Sequence, residues 1–220
     1  DIRYRPVRVF ENNGQGWRQA YKQAQQFVAQ QENPQALRIK DVVTFGDNLK
    51  FFFKYQIGFM YFRYFMWNFS GRQNDIQGRA DANNQGNWIS GIPFIDKAIE
   101  GPTDKMPQHM KDNLARNKYF MLPFLIGLLG FAYHVVKRPT DWGVVLVLFL
   151  FTGLLEIVFF NSPPFEPRER DYTLVGSFVT YCIWIGFGAL AIYDLLAGKV
   201  SGEIRAGLAI LITLVAPVLM

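Results

Sequence analysis

Trp142–Phe160 reads WGVVLVLFLFTGLLEIVFF, and Glu156 is the one charge in it. A helix needs about 20 largely apolar residues to cross a ~30 Å hydrocarbon core. This run therefore has the length and composition of a membrane crossing. In lipid every backbone N–H and C=O must be bonded within the segment, so the run must be a helix. Three further runs have the same character. Tyr119–Val136 contains Pro123 and His134, Leu174–Leu196 is charged only at Asp194, and Ile204–Met220 only at Arg205. The last run has no polar flank and reads as truncated. Alternation of apolar and polar residues is absent, which excludes an outer-membrane barrel. The expected fold class is an all-α integral membrane protein, a polytopic helical bundle with about four spans (119–136, 142–160, 174–196, 204–220).

Upstream the chain changes character. Residues 1–48 form a polar, soluble-type N-terminal segment, where Val7 and Val9 suit a short strand. Between Trp17 and Gln31, Trp17, Ala20, Tyr21, Ala24, Phe27 and Val28 fall on one helical face, a small packed cap or a surface helix. Residues 51–69 read FFFKYQIGFMYFRYFMWNF, in which 11 of 19 side chains are aromatic. Aromatic rings and long cations prefer the headgroup layer. Residues 49–69 are thus either an interfacial helix or a span ending at the interface. Residues 70–118 are polar and rich in Gly and Pro, a long loop of the kind that carries function. Its GNWISGIPFID stretch, Gly86–Asp96, argues against disorder.

Charge gives the topology. Lys137 and Arg138 follow the first run, and Lys199 and Arg205 flank the last. Short basic loops suit the cytoplasm. The segment 70–118 and the loop Asn161–Tyr172 then share the outer face. The net charge of +5 is of the ordinary orienting kind, and no basic stripe or nucleic-acid-binding module accompanies it.

Two outer clusters could carry chemistry. The first is Arg72-Gln73-Asn74-Asp75. The second, Glu166-Pro167-Arg168-Glu169-Arg170-Asp171-Tyr172, follows Pro163-Pro164-Phe165. A proline-stiffened loop with two arginines suits a phosphate through the planar guanidinium fork, and neighbouring carboxylates suit a general base. The same pattern also describes an ordinary charged turn at lipid headgroups. Glu156 is either a buried proton or ligand site, or a carboxylate that reaches the interface or pairs with another helix. His134 and Asp194 read as interface residues at the opposite ends of their runs. Cys182 stands alone, and two histidines with one cysteine make no metal constellation. Phosphate-cradling and dinucleotide glycine motifs are absent. The first residue, Asp1, and the apolar run up to Met220 suggest a piece of a longer chain.

Three strings, MYFRYFMWNFSGRQNDIQG, GNWISGIPFID and NSPPFEPRERDYTLVGSF, resemble a bacterial family of multi-span membrane proteins. These are the GT-C-type, protein O-mannosyltransferase-like proteins long known as a domain of unknown function. The resemblance runs from about Thr44 to Leu196. It implies transfer of a sugar from a polyprenyl-phosphate carrier to a protein hydroxyl at the outer face of the inner membrane. Partners would be the bilayer, the lipid-linked sugar and an acceptor protein, with no nucleic acid. A divalent metal is possible in such a site. On that basis Arg72, Asn74, Arg168, Arg170 and Glu156 would bind substrate, and Asp75, Glu169 or Asp171 would supply a carboxylate. The acidic first outer loop that usually carries catalysis in such enzymes would lie upstream of Asp1. Two rival readings are a transporter or channel component lined by Glu156 and Pro123, and a non-catalytic membrane scaffold.

Overall fold

The structure, a computed structural model, describes residues 45–78, 80, 82, 84–102, 106–160 and 171–219. The expected helix at Trp17–Gln31 and strand at Val7 and Val9 lie outside them, as do Arg168, Glu169 and Arg170. The described chain is mostly helical. Its elements are α1 (Phe45–Phe51), a π-helical stretch (Phe52–Arg63), α2 (Tyr64–Phe69), β1 (Gly71–Arg72), α3 (Pro93–Glu100) and α4 (Gln108–Lys111). They are followed by β2 (Asn117–Lys118), α5 (Leu122–Lys137), α6 (Pro139–Phe151), α7 (Leu154–Phe160), α8 (Asp171–Leu195) and α9 (Gly202–Leu219).

The aromatic run forms one arm from α1 to α2. Rings four residues apart stack along it, Phe51 on Tyr55 at 5.1 Å and Tyr55 on Phe59 at 5.5 Å between centroids. Its first half is open, with Phe45 77% and Phe53 60% exposed. Its second half buries Tyr61, Tyr64, Phe65, Met66 and Phe69. Phe65 and Phe69 each meet Tyr181 of α8 at 4.7 Å, and Phe65 stands edge-on to Phe149 of α6. Aromatic pairs in such offset or edge-to-face arrangements contribute about 0.5–1.5 kcal/mol beyond area burial. The arm is therefore neither purely interfacial nor free-standing, because its end is an anchor in the bundle.

The bundle is organised by α5 and α8. Tyr181 donates to the Phe124 carbonyl at 2.7 Å, while Tyr133 donates to Asp194 at 3.0 Å. Phe124 precedes Tyr133 along α5 as Tyr181 precedes Asp194 along α8, so the two helices run parallel. Small residues allow close approach. A Cβ on Gly130 would lie 1.8 Å from the Trp184 carbonyl oxygen, and one on Gly188 2.5 Å from the Ile126 oxygen. Without Cβ atoms at these points the two backbones touch, as small residues permit between apolar helices.

The return path runs through α6 and α7, antiparallel to α8. Phe149 packs on Trp184, and Thr152 lies against Gly176. The expected continuous run 142–160 is interrupted at Thr152–Gly153. Thr152 turns its hydroxyl onto the Leu148 carbonyl at 2.8 Å, a back-bond that favours helix bending. Gly153 leaves room for Ser177 and the Tyr61 ring. Tyr61 and Ser177 are hydrogen-bonded to each other, so the arm, the break and α8 meet at one point.

The first run is also shorter than expected. Phe120 and Met121 adopt left-handed φ of 54° and 57°, and α5 begins only at Leu122. Pro123 then falls in the first turn, where its missing N–H costs nothing and its fixed φ suits the helix. Two stretches, Pro139–Phe160 and Tyr172–Leu195, are long and apolar enough to cross a membrane by length and composition. At 1.5 Å per residue α5 is only about 24 Å long. The ends separate cleanly. Leu122, Phe160 and Asp171 lie at one end, and Lys137, Arg138, Asp194 and Arg205 gather near the other.

Candidate functional site

The described residues between 70 and 121 fold into a cap at the first end. Its hub is the sequence Ser70-Gly71-Arg72-Gln73-Asn74. Ser70 is fully buried, and its carbonyl accepts from Tyr119 N at 3.2 Å and Met121 N at 3.4 Å. Gly71 and Arg72 pair antiparallel with Lys118 and Asn117. Ile89 N donates to the Gly71 carbonyl at 3.0 Å, and Gln73 N to the Asn87 carbonyl at 3.1 Å. Backbone bonds thus tie the hub to two neighbouring stretches, 87–89 and 117–121.

Side chains complete the cap. The Asn74 carbonyl oxygen accepts from Gly86 N at 2.8 Å and Ile76 N at 3.2 Å, and its amide donates to the Asn84 carbonyl at 3.0 Å. Gly86 has φ +57°, and a Cβ there would meet the Ile76 oxygen at 2.3 Å. The buried Arg63 of the arm donates to the Gly86 carbonyl and lies over Phe59 at 4.5 Å. Asp96 folds back over the start of its own helix, accepting from Ser90 N at 2.6 Å, Ser90 Oγ at 2.7 Å and Gly91 N at 2.9 Å. Glu100 accepts from Gln73 Nε2 at 2.9 Å and from both terminal nitrogens of Arg116. The Arg116 and Glu100 side chains are 8% and 0% exposed.

Between these parts lies a cleft of about 260 Å³. Gln73, Asn74, Ile76, Asn84 and Gln85 form one wall, and His109, Met110, Asn113 and Arg116 the other. Five of the nine lining residues are amides, a group with both donors and an acceptor. The Gln73, Asn74 and Asn113 side chains already bond to the cap itself, and no such bond ties up the Asn84 or Gln85 side chain among the described residues. The one guanidinium is already held by Glu100. The lining is therefore rich in directional hydrogen bonding and low in net charge, which suits an uncharged, hydroxyl-bearing molecule better than a free anion.

The residues singled out from sequence fall in different places. Asn74 lines the cleft, and its side-chain bonds hold the loop that forms the wall. Asp75 is exposed, between two lining residues. Arg72 stacks on Trp67 at 4.3 Å and approaches Tyr119 at 6.0 Å, away from the cleft lining. Its Nε is buried without a hydrogen-bond partner among the described residues. Glu156 is half-buried on α7 and is not a lining residue. Asp171 opens α8. Among the described residues no three of His, Cys, Asp and Glu gather as a metal site. Sequence reading included Gln73 in its first cluster without a role of its own, and passed over Asn84, Gln85, His109, Asn113 and Arg116. The usable signal was the density of amides in 73–87, which a search for charge overlooks.

The chain was compared with protein-family models, curated proteins and solved structures, and none matches it.

Proposed function

We propose that this chain is part of a multi-pass membrane glycosyltransferase-like protein of the bacterial inner membrane. Its capped end faces outward, and the cleft holds the sugar passed from a polyprenyl-phosphate carrier to a protein hydroxyl. The observation that carries the reading is the cleft itself, a small amide-lined cavity at the end of an apolar helical bundle. Adjacent sugar hydroxyls act as donor and acceptor together, and side-chain amides match both roles.

The bundle's surface supports the membrane part. Val144, Val147 and Phe151 of α6 and Val175, Val179 and Ile183 of α8 are each more than 40% exposed. The apolar outward faces continue along Leu125 and Leu128 of α5 and Ile210, Leu211 and Leu214 of α9. An exposed apolar belt of this extent marks a surface that meets lipid or another protein. The loop resemblance supports the sugar part. In this reading Asp75, beside the cleft wall, provides a carboxylate toward the acceptor. Arg168 and Arg170 are assigned to the carrier phosphate, and Glu169 or Asp171 to the sugar or the acceptor.

Met110→Trp tests the cleft. Met110 lines it and makes no side-chain hydrogen bond that the cap depends on, so the cap should stay within about 0.5 kcal/mol of wild type. Filling the cavity should lower sugar transfer by the full-length protein in its own membranes by about tenfold or more, about 1.4 kcal/mol. Glycopeptide mass spectrometry at matched protein level reads it. Undiminished glycan with the cavity filled would remove the cleft from the reaction.

A further inference from the structure

At the end opposite the cap, α5 and α8 leave a groove of about 380 Å³ on their outer side. Ala132 and Ala191 leave it open, and Leu129, Val136 and Leu195 make it apolar. Its polar rim is Tyr133, Lys137 and Asp194. Lys137 Nζ lies 3.3 Å from Asp194 Oδ2, and the Tyr133 hydroxyl donates to the same oxygen at 3.0 Å. The two charged side chains stay 56% and 43% exposed, so each keeps hydrogen-bonding capacity for a ligand. A surface ion pair of this kind contributes only about 0–1 kcal/mol to stability. Stability therefore does not account for a fixed cation and anion standing over an apolar slot.

We propose that this groove seats one phospholipid with a zwitterionic ethanolamine headgroup. An acyl chain lies along Leu129, Ala132 and Val136, the phosphate meets Lys137, and the ammonium meets Asp194. Charge complementarity selects the headgroup. Ethanolamine carries an anion and an N–H-bearing cation a few atoms apart, mirroring the Lys137–Asp194 pair. An anionic glycerol headgroup would satisfy Lys137 with its phosphate and offer Asp194 only neutral hydroxyls, with no cation to match its charge. A choline headgroup has no N–H to give Asp194. The inference rests on the membrane reading above and is independent of sugar transfer.

The test uses the full-length protein in nanodiscs made from equal parts phosphatidylethanolamine and phosphatidylglycerol. Lipid retained after release into mild detergent is counted by native mass spectrometry. Wild type should retain the ethanolamine lipid about tenfold over the glycerol lipid. Asp194→Asn should cut that preference to about threefold or less. Ala132→Leu, a change at an exposed position, should fill the slot and remove the retained lipid while the melting temperature holds. Absence of preference in wild type, or the same preference in both variants, overturns the site. A chain that stays soluble without lipid or detergent overturns the membrane reading instead, so the two failures are distinguishable.

Discussion

Gly130→Val should separate α5 from α8 and leave little folded protein in detergent. The first added carbon would sit 1.8 Å from the Trp184 carbonyl oxygen and 2.5 Å from the Gly188 nitrogen. Both are backbone atoms of a facing helix, and neither can rotate away. Overpacking in a fitted core costs about 1–3 kcal/mol and sometimes more. A clash with rigid backbone belongs at the top of that range. The loss would spread, because Trp184 also packs on Phe131 and Phe149. Gly186→Ala is the control. No atom lies within 4 Å of a Cβ built there, and a helical Gly→Ala change favours the helix by up to about 1 kcal/mol. Thermal melting of the purified full-length protein should fall sharply for the first and hold or rise for the second. Equal melting of both would mean that α5 and α8 do not touch at Gly130.

Glu100→Ala should open the cap. The Arg116 guanidinium would be left 8% exposed with its partner removed, and Gln73 Nε2 would lose its acceptor. Removing one member of a buried ion pair costs about 3–5 kcal/mol, because an uncompensated charge stays buried. That energy bears on the hub directly, since Gln73 also accepts from Asn87 N at 3.2 Å. Hydrogen exchange gives the local reading. Protection of the Asn87 and Ile89 amides should fall by about 100-fold or more, at about 1.4 kcal/mol per tenfold. Glu100→Gln keeps one acceptor oxygen for Gln73 or Arg116 but leaves the guanidinium charge uncompensated, so it should lose a part of the same protection. Asp75→Ala, at an exposed carboxylate, should stay within about 0.5 kcal/mol of wild type. Unchanged protection in Glu100→Ala would show that the pair does not hold the cap.

Sequence and structure agree where one-dimensional pattern suffices. The apolar runs became α5, α6 with α7, α8 and α9, long uniform runs of the kind that close their backbone bonds within one segment. The basic residues Lys137, Arg138 and Arg205 collect at one end as loop parity required. Pattern did not carry the interruption at Thr152–Gly153. That break depends on Ser177 and Tyr61, 24 and 92 residues away along the chain. Neither did it carry the π-helical stretch Phe52–Arg63, whose aromatic run fits an α-helix equally well by composition. The cap was hidden for the same reason. Asn74 acts on Asn84 and Gly86, and Glu100 acts on Gln73 and Arg116, through bonds that no local spacing announces. The sequence singled out Arg72, Asn74 and Asp75, and of these only Asn74 lines the cleft. Its neighbour Gln73 lines the cleft as well, in the same cluster but given no role of its own, because neutral amides draw less notice than charges.

The account depends on the cap and the basic end lying on opposite faces of a membrane. Accessibility to a membrane-impermeant maleimide measures this most directly, using single-cysteine versions of the full-length protein with Cys182→Ser as background. Leu114 is 97% exposed in the cap, and Lys199 is exposed in the turn before α9. In spheroplasts Leu114→Cys should label at once, and Lys199→Cys only after the membrane is permeabilised. Prompt labelling of both in unbroken spheroplasts would contradict the account.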